Sequence, residues 1–153
     1  MRRFLDTLFY EPEAFLIDAV TRLDNDALAV EAEMDTTRPL PFTDLQRPSE
    51  IHPAHVAAAE ILMLTGNLGF LHAWFFHGCR WDEGWAGFGS RIHRADFKNL
   101  ARIGPPLRLT SRESRSREGP KRVMMRVEFE FWQEDRLVYR GDQSAIFLRE
   151  RAL

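Results

Sequence analysis

The sequence predicts an α+β domain in which a curved antiparallel sheet wraps one long buried helix. Three observations carry that prediction. The stretch from His52 to His77 is rich in helix formers and apolar on nearly every side. A helix of that kind must be covered by other elements or lie in lipid. Two β-patterned segments precede it and four follow it. Among these, Val123, Met125, Val127, Phe129 and Phe131 alternate with Arg126, Glu128 and Glu130, the period of a half-buried antiparallel strand.

The totals set the frame. With 153 residues the chain is read as one domain, 1–153, long enough to bury about two-thirds of its unfolded surface. A 44% hydrophobic and 29% charged composition belongs to a globular protein. A net charge of -2 gives no electrostatic reason to expect nucleic acid or an anionic membrane as partner. Cys79 is the single cysteine, which excludes an internal disulfide and suits a reducing, cytoplasmic setting. Met1 to Asp6 contains two arginines and no apolar run, so a secretory leader is not expected.

Along the chain, residues 1–14 read as a lead-in limited by Pro12. Phe15 to Leu23 and Ala27 to Met34 read as a hairpin turned by Asp24-Asn25-Asp26. Pro39, Pro41 and Pro48 mark a loop. The central helix is expected over about 52–77, with Pro53 in its first turn and Gly66, Asn67 and Gly69 as weak points. A membrane span over Val56 to Phe76 is disfavoured by Glu60, because a carboxylate at the bilayer centre costs roughly 2.5–3.5 kcal/mol. Gly78 to Gly87 forms an aromatic loop with Trp81 and Trp85, read as core and subunit contacts. Strands then follow over Gly87 to Phe97, Leu107 to Arg117, Val123 to Phe131 and Leu137 to Leu148. Two strands, a long helix and four strands make a hotdog arrangement, with a second subunit expected to complete the cover.

Specific residues add a resemblance. Phe15-Leu16-Ile17-Asp18-Ala19, His55-Val56-Ala57-Ala58-Ala59-Glu60, Ser90-Arg91 before Pro105-Pro106, and Glu130-Phe131-Trp132 occur in the order and spacing of one family. Over about residues 10–148 the chain resembles the FcoT family of long-chain fatty acyl-CoA thioesterases. The helix opening also resembles hotdog 3-hydroxyacyl thioester dehydratases, in which a histidine precedes the helix and an acid lies on it. The first resemblance implies hydrolysis of fatty or polyketide-type acyl thioesters, with coenzyme A or phosphopantetheine arriving as part of the substrate and no separate cofactor. It implies acyl-CoA or an acyl-carrier protein as partner. Carried over residue by residue, Tyr10 matches the family's first tyrosine. Phe42 stands near the second without its hydroxyl, and Ala57 stands where the family has an asparagine.

The candidate catalytic groups are His52, His55, Glu60 and Tyr10. Unpaired N–H groups at a helix N-terminus can hold a developing oxyanion, and a partly buried carboxylate or an imidazole there can move a proton. Residues five apart on a helix are about 140° apart around its axis, so His55 and Glu60 of one copy do not face each other. Candidate substrate contacts are Phe42, Ala57, Asn67, Arg108 and Arg112, the arginines as phosphate ligands. Asn67 with Gly66, Gly69 and His72 either lines an acyl tunnel or packs against the sheet. His52-x-x-His55 with Glu60 lacks an established metal-site spacing, so no metal is expected.

Overall fold

A computed structural model describes residues 1–149. It contains two helices, α1 (Arg2–Asp6) and α2 (Ala58–Phe76), and six strands: β1 (Ala19–Asp24), β2 (Ala29–Met34), β3 (Trp85–Phe97), β4 (Leu107–Gly119), β5 (Arg122–Gln133) and β6 (Arg136–Arg149). The strands form one antiparallel sheet in the order β1-β2-β4-β5-β6-β3. The hotdog architecture predicted from the sequence is therefore present.

The alternation read in β5 sets the inner face. Val123, Met125, Val127, Phe129 and Phe131 are buried. On β2 the same face carries Val30, Ala32 and Met34, and on β4 it carries Leu107 and Leu109. Against it lies α2, about 28 Å long at 1.5 Å per residue. Ile61, Leu64, Leu68, Leu71 and Trp74 are buried on α2, and Glu60, Thr65, Asn67 and His72 are buried with them. Gly66 and Gly69 leave the helix unbroken. Among the described residues, no helix is long and apolar enough to cross a membrane.

The first strand begins at Ala19, not Phe15. Phe15, Leu16 and Ile17 are buried and extended, but Leu16 N–H donates to the Asn67 side-chain oxygen at 2.8 Å. The ladder begins only where Asp18 N–H reaches Glu33 O, at 2.9 Å. The lead-in is pinned by Phe4, fully buried with its ring edge-on to Phe15 and Trp74, each 5.5 Å away. Trp81 and Trp85 join this core.

The helix starts at Ala58, not near His52. Ser49 and His52 exchange backbone hydrogen bonds of 2.9 and 3.2 Å, and Val56 N–H donates to Ala101 O at 2.9 Å. Those bonds hold the intervening chain extended, so Pro53 lies outside the helix. The N-cap Ala57 has no side chain to accept the first-turn N–H groups, and its own N–H donates to Thr43 Oγ1 at 2.8 Å, which ties the helix start to the 42–43 loop.

Candidate functional site

Between the middle of α2 and the inner face of β3, β5 and β6 lies a cavity of about 450 Å³. Met63, Phe70, Met125, Val127, Phe129 and Phe147 give it apolar walls, and Tyr10 stands at its rim with its ring 5.9 Å from Phe70. A concave, mainly apolar pocket with a few converging polar groups is the usual form of a small-molecule site. Tyr10, Asn67 and Ser144 bring polar atoms to the lining, and Thr65 on α2 meets Gln143 on β6 there, with Thr65 Oγ1 3.0 Å from Gln143 Oε1. The Thr65 hydroxyl also lies 2.7 Å from Leu62 O, and Gln143 Nε2 donates weakly to the Tyr139 hydroxyl at 3.3 Å. One amide proton of Gln143 remains for a ligand.

Of the residues expected to form the site, only Tyr10 and Asn67 line this cavity. Asn67 is occupied structurally: it accepts from Leu16 N–H and donates to Ala14 O at 3.3 Å. Gly66 and Gly69 line the cavity beside it. His72 does not; it is fully buried within another network.

Glu60 has no exposed surface. Its Oε1 accepts Phe42 N–H at 2.6 Å and Thr43 N–H at 2.9 Å, while Oε2 is buried without a partner. With the Thr43 bond to Ala57 N–H, this makes a reciprocal clamp between the 42–43 loop and the helix start. Phe42 therefore contributes a backbone donor while its ring is exposed. Neither imidazole bonds Glu60, so the pairing of His52 or His55 with that carboxylate does not form within this chain.

His52 is exposed and His55 is half-buried, with ring centroids 5.1 Å apart. His55 lines a shallow cleft of about 320 Å³ with Ala58, Phe97, Leu100 and Val138, beside the helix N-terminus. His55 Nδ1 lies 2.8 Å from Pro53 O. A carbonyl only accepts, so Nδ1 donates to it, and in the neutral ring Nε2 is the remaining acceptor.

Arg108 and Arg112 alternate with buried Leu107, Leu109 and Ser111, so they occupy the convex face of β4. Arg112 borders a charged groove there, away from the cavity. That groove also carries the paired Arg140 and Glu130, whose closest atoms are 2.7 Å apart.

Two polar groupings stand outside the residues expected to form the site. Gln143 was legible, as the polar member of the inward series Tyr139, Gly141, Gln143, Ala145 and Phe147. The second lies at the far end of α2. His72 Nδ1 is 3.0 Å from Glu113 Oε1 and its Nε2 is 2.9 Å from Ser111 Oγ. His77 Nε2 is 2.8 Å from Glu113 Oε2, and its Nδ1 meets Glu118. Burial opposes charging His77, but the carboxylates of Glu113 and Glu118 hold its pKa above the ordinary histidine range. Burial likewise opposes ionising Glu113, yet hydrogen bonds from His72 and His77 hold it below the ordinary carboxylate range. Burial pushes the Cys79 thiol up to about 12, which removes it as a nucleophile.

Neither a protein-family model nor a curated protein sequence matches the chain. Solved structures do. The chain is similar to the thioesterase HI1161 of Haemophilus influenzae, at 14% identity and TM-score 0.60 over 99% of this chain and 94% of that one. It is similar to the conserved protein PA5202 of Pseudomonas aeruginosa, at 16% identity and TM-score 0.63 over 94% and 98%. It is also similar to thioesterase superfamily member 2 of Mus musculus, at 9% identity and TM-score 0.57 over 82% and 78%. At these identities the likeness is one of fold: the chain is a hotdog domain, built on the same plan as proteins that bear the name thioesterase.

Proposed function

We propose that the protein is an acyl thioester hydrolase acting as a homodimer, with the acyl group held in the cavity between α2 and the sheet. The observation that carries this reading is the polar Thr65–Gln143 pair set into a mainly apolar cavity of acyl-group dimensions. The free Gln143 amide proton would meet the thioester carbonyl oxygen.

A second copy supplies what one chain lacks. Among the described residues no carboxylate or imidazole lines the cavity. Gly89 on β3 borders the cavity and Phe97 on β3 borders the His55 cleft, about 26 Å apart at 3.3 Å per residue. β3 is an edge strand, paired with β6 on one side, and its Phe88, Ile92 and Phe97 are exposed. Antiparallel pairing of two β3 edges about an axis near His93 sets Gly89 of one copy opposite the partner's Phe97. The cavity of each copy then meets the partner's helix N-terminus and the partner's His55.

In that arrangement water attacks the carbonyl carbon while the partner's His55 Nε2 takes the water proton. The oxyanion is held by Gln143 and by the first N–H groups of the partner's α2, which have no intrahelical acceptor. The carbon–sulfur bond then breaks, giving a carboxylic acid and a thiolate that recovers the proton. His55→Gln, assayed by free-thiol release from an acyl-CoA panel, is expected to lower kcat by roughly 10²–10⁴-fold with little change in fold. Unchanged turnover in that variant would overturn the role of His55. A second reading, acyl binding without hydrolysis, is favoured by the lack of a proton acceptor in the single-chain cavity; saturable binding with no thiol release would establish it.

A further inference from the structure

The face of the sheet turned away from α2 carries an unbalanced block of charge beside the cavity. Strand register sets it out in rows. Arg115, Arg126, Ser144 and Arg91 lie side by side across β4, β5, β6 and β3. Arg117, Met124, Ile146 and Phe88 make the next row. Arg122 and Leu148 follow, paired on β5 and β6. The β5 members alternate with buried Val123, Met125 and Val127, so the rows stand on the outer face.

Five arginines and no acid occupy these rows, in a chain whose net charge is -2. Arg126 pairs with Asp142 beyond the rows, whereas Arg91, Arg115, Arg117 and Arg122 form no ion pair among the described residues. Arg115 and Arg126 face each other directly, a like-charge pairing that weakens a sheet. Edge protection does not explain Arg122 and Arg126, because β5 is paired on both sides.

An apolar line runs through the same block. Phe88 is 45% exposed and Met124 37%, with Ile146 half-buried between them. The three span about 10 Å at about 4.8 Å per strand, close to two helical turns of about 5.4 Å. A shallow cleft of about 320 Å³ opens between Arg117 and Arg122 over Met124. An apolar line flanked by guanidinium groups matches the apolar stripe of an acidic amphipathic helix, whose carboxylates arginine holds in bidentate fashion. Phosphates alone would use the arginines and leave the apolar line uncovered.

Phe88 and Ser144 belong both to this block and to the cavity lining, so a protein seated here stands beside the acyl pocket. Pairing of β3 edges lengthens the sheet and leaves its outer face open. We propose that this face docks an acidic carrier protein that bears the acyl group as a thioester on a flexible arm. This rests on the reading of the cavity as an acyl thioester site.

The test compares octanoyl-CoA with the octanoyl-loaded acyl-carrier protein of a bacterial fatty-acid synthase as substrates of the full chain. The variants are the double substitutions Arg117→Glu with Arg122→Glu and Arg117→Lys with Arg122→Lys. With the glutamates, kcat/KM on the carrier substrate is expected to fall at least roughly tenfold while octanoyl-CoA turnover is unchanged, as loss of charge complementarity predicts. Added salt is expected to weaken wild-type turnover of the carrier substrate alone, and the lysine variant to keep most of it. Equal losses on both substrates would assign the arginines to coenzyme A phosphates and overturn the proposal. So would no loss on either, or a wild type that cleaves only octanoyl-CoA. Dissociation of the wild-type oligomer by the glutamates would give the face to another copy of the chain and also overturn it. A wild type that neither binds nor cleaves either substrate would overturn the acyl reading together with this proposal.

Discussion

The hydroxyl of Thr65 on α2 lies 3.0 Å from the amide oxygen of Gln143 on β6, in a cavity whose walls are mainly apolar. Within the cavity this pair is the polar contact that joins helix to sheet. Gln143→Leu keeps the volume and removes the free donor. Thr65 retains its bond to Leu62 O, so stability is expected to change by less than about 1 kcal/mol. kcat/KM for any acyl thioester is expected to fall by about 10²-fold, the usual loss of one oxyanion donor. Thermal unfolding and initial rates check both halves.

Glu60 separates two roles by a pair of substitutions. Glu60→Ala strands the buried N–H groups of Phe42 and Thr43, each worth about 1–3 kcal/mol when unsatisfied, and loosens the helix start. Glu60→Gln keeps the accepting oxygen, so urea unfolding is expected to show a much smaller loss. If the clamp is the whole role of Glu60, the Gln variant keeps its turnover. A folded Glu60→Gln protein with turnover abolished would place the carboxylate in the chemistry.

The buried His77–Glu113 pair predicts a stability window in pH. His77 is held above its ordinary value of 6.5, so its contribution is full below that pH and is lost as pH rises through the raised value. Glu113 is held below its ordinary value of 4.5, so its contribution is full above that pH and is lost as pH falls through the lowered value. Thermal midpoints are expected to be highest between about 4.5 and 6.5 and to decline on both sides, as far as these two groups decide. His77→Asn is expected to flatten the alkaline decline; an unchanged alkaline arm would show that the pair does not set it.

The dimer reading is checked at the sheet edge. Ile92 on β3 is 55% exposed and lies opposite the partner's Arg94 in a two-fold pairing of β3 edges, so Ile92→Arg places like charges against each other. Light scattering is expected to show dimer for the wild type and monomer for the variant, with turnover lost alongside. A monomeric wild type with full turnover would remove the shared site.

Much of this architecture is legible in the chain, and the misses have physical causes. The β5 pattern fixes an inner face because side chains alternate with period two, whatever lies opposite. The start of α2 was displaced because Pro53 fits a first helical turn as well as an extended segment, and the decision lies with Val56 N–H reaching Ala101, far along the chain. Phe15 to Ile17 carry a strand composition, yet Leu16 takes its hydrogen bond from Asn67 of the helix. The function of Glu60 depends on two amides 17 and 18 residues earlier, a closure that no local pattern encodes. The cavity depends on how α2 crosses the sheet; Gly66, Asn67 and Gly69 mark it from the helix and Gln143, polar on an apolar face, from the sheet.

The most direct measurement is free-thiol release from straight-chain acyl-CoAs by the purified wild-type protein, set beside Gln143→Leu. Saturable release that falls about a hundredfold in the variant is the predicted result. Wild-type protein that releases no thiol and binds no acyl chain, or equal release by both proteins, would contradict an acyl thioester site between α2 and the sheet.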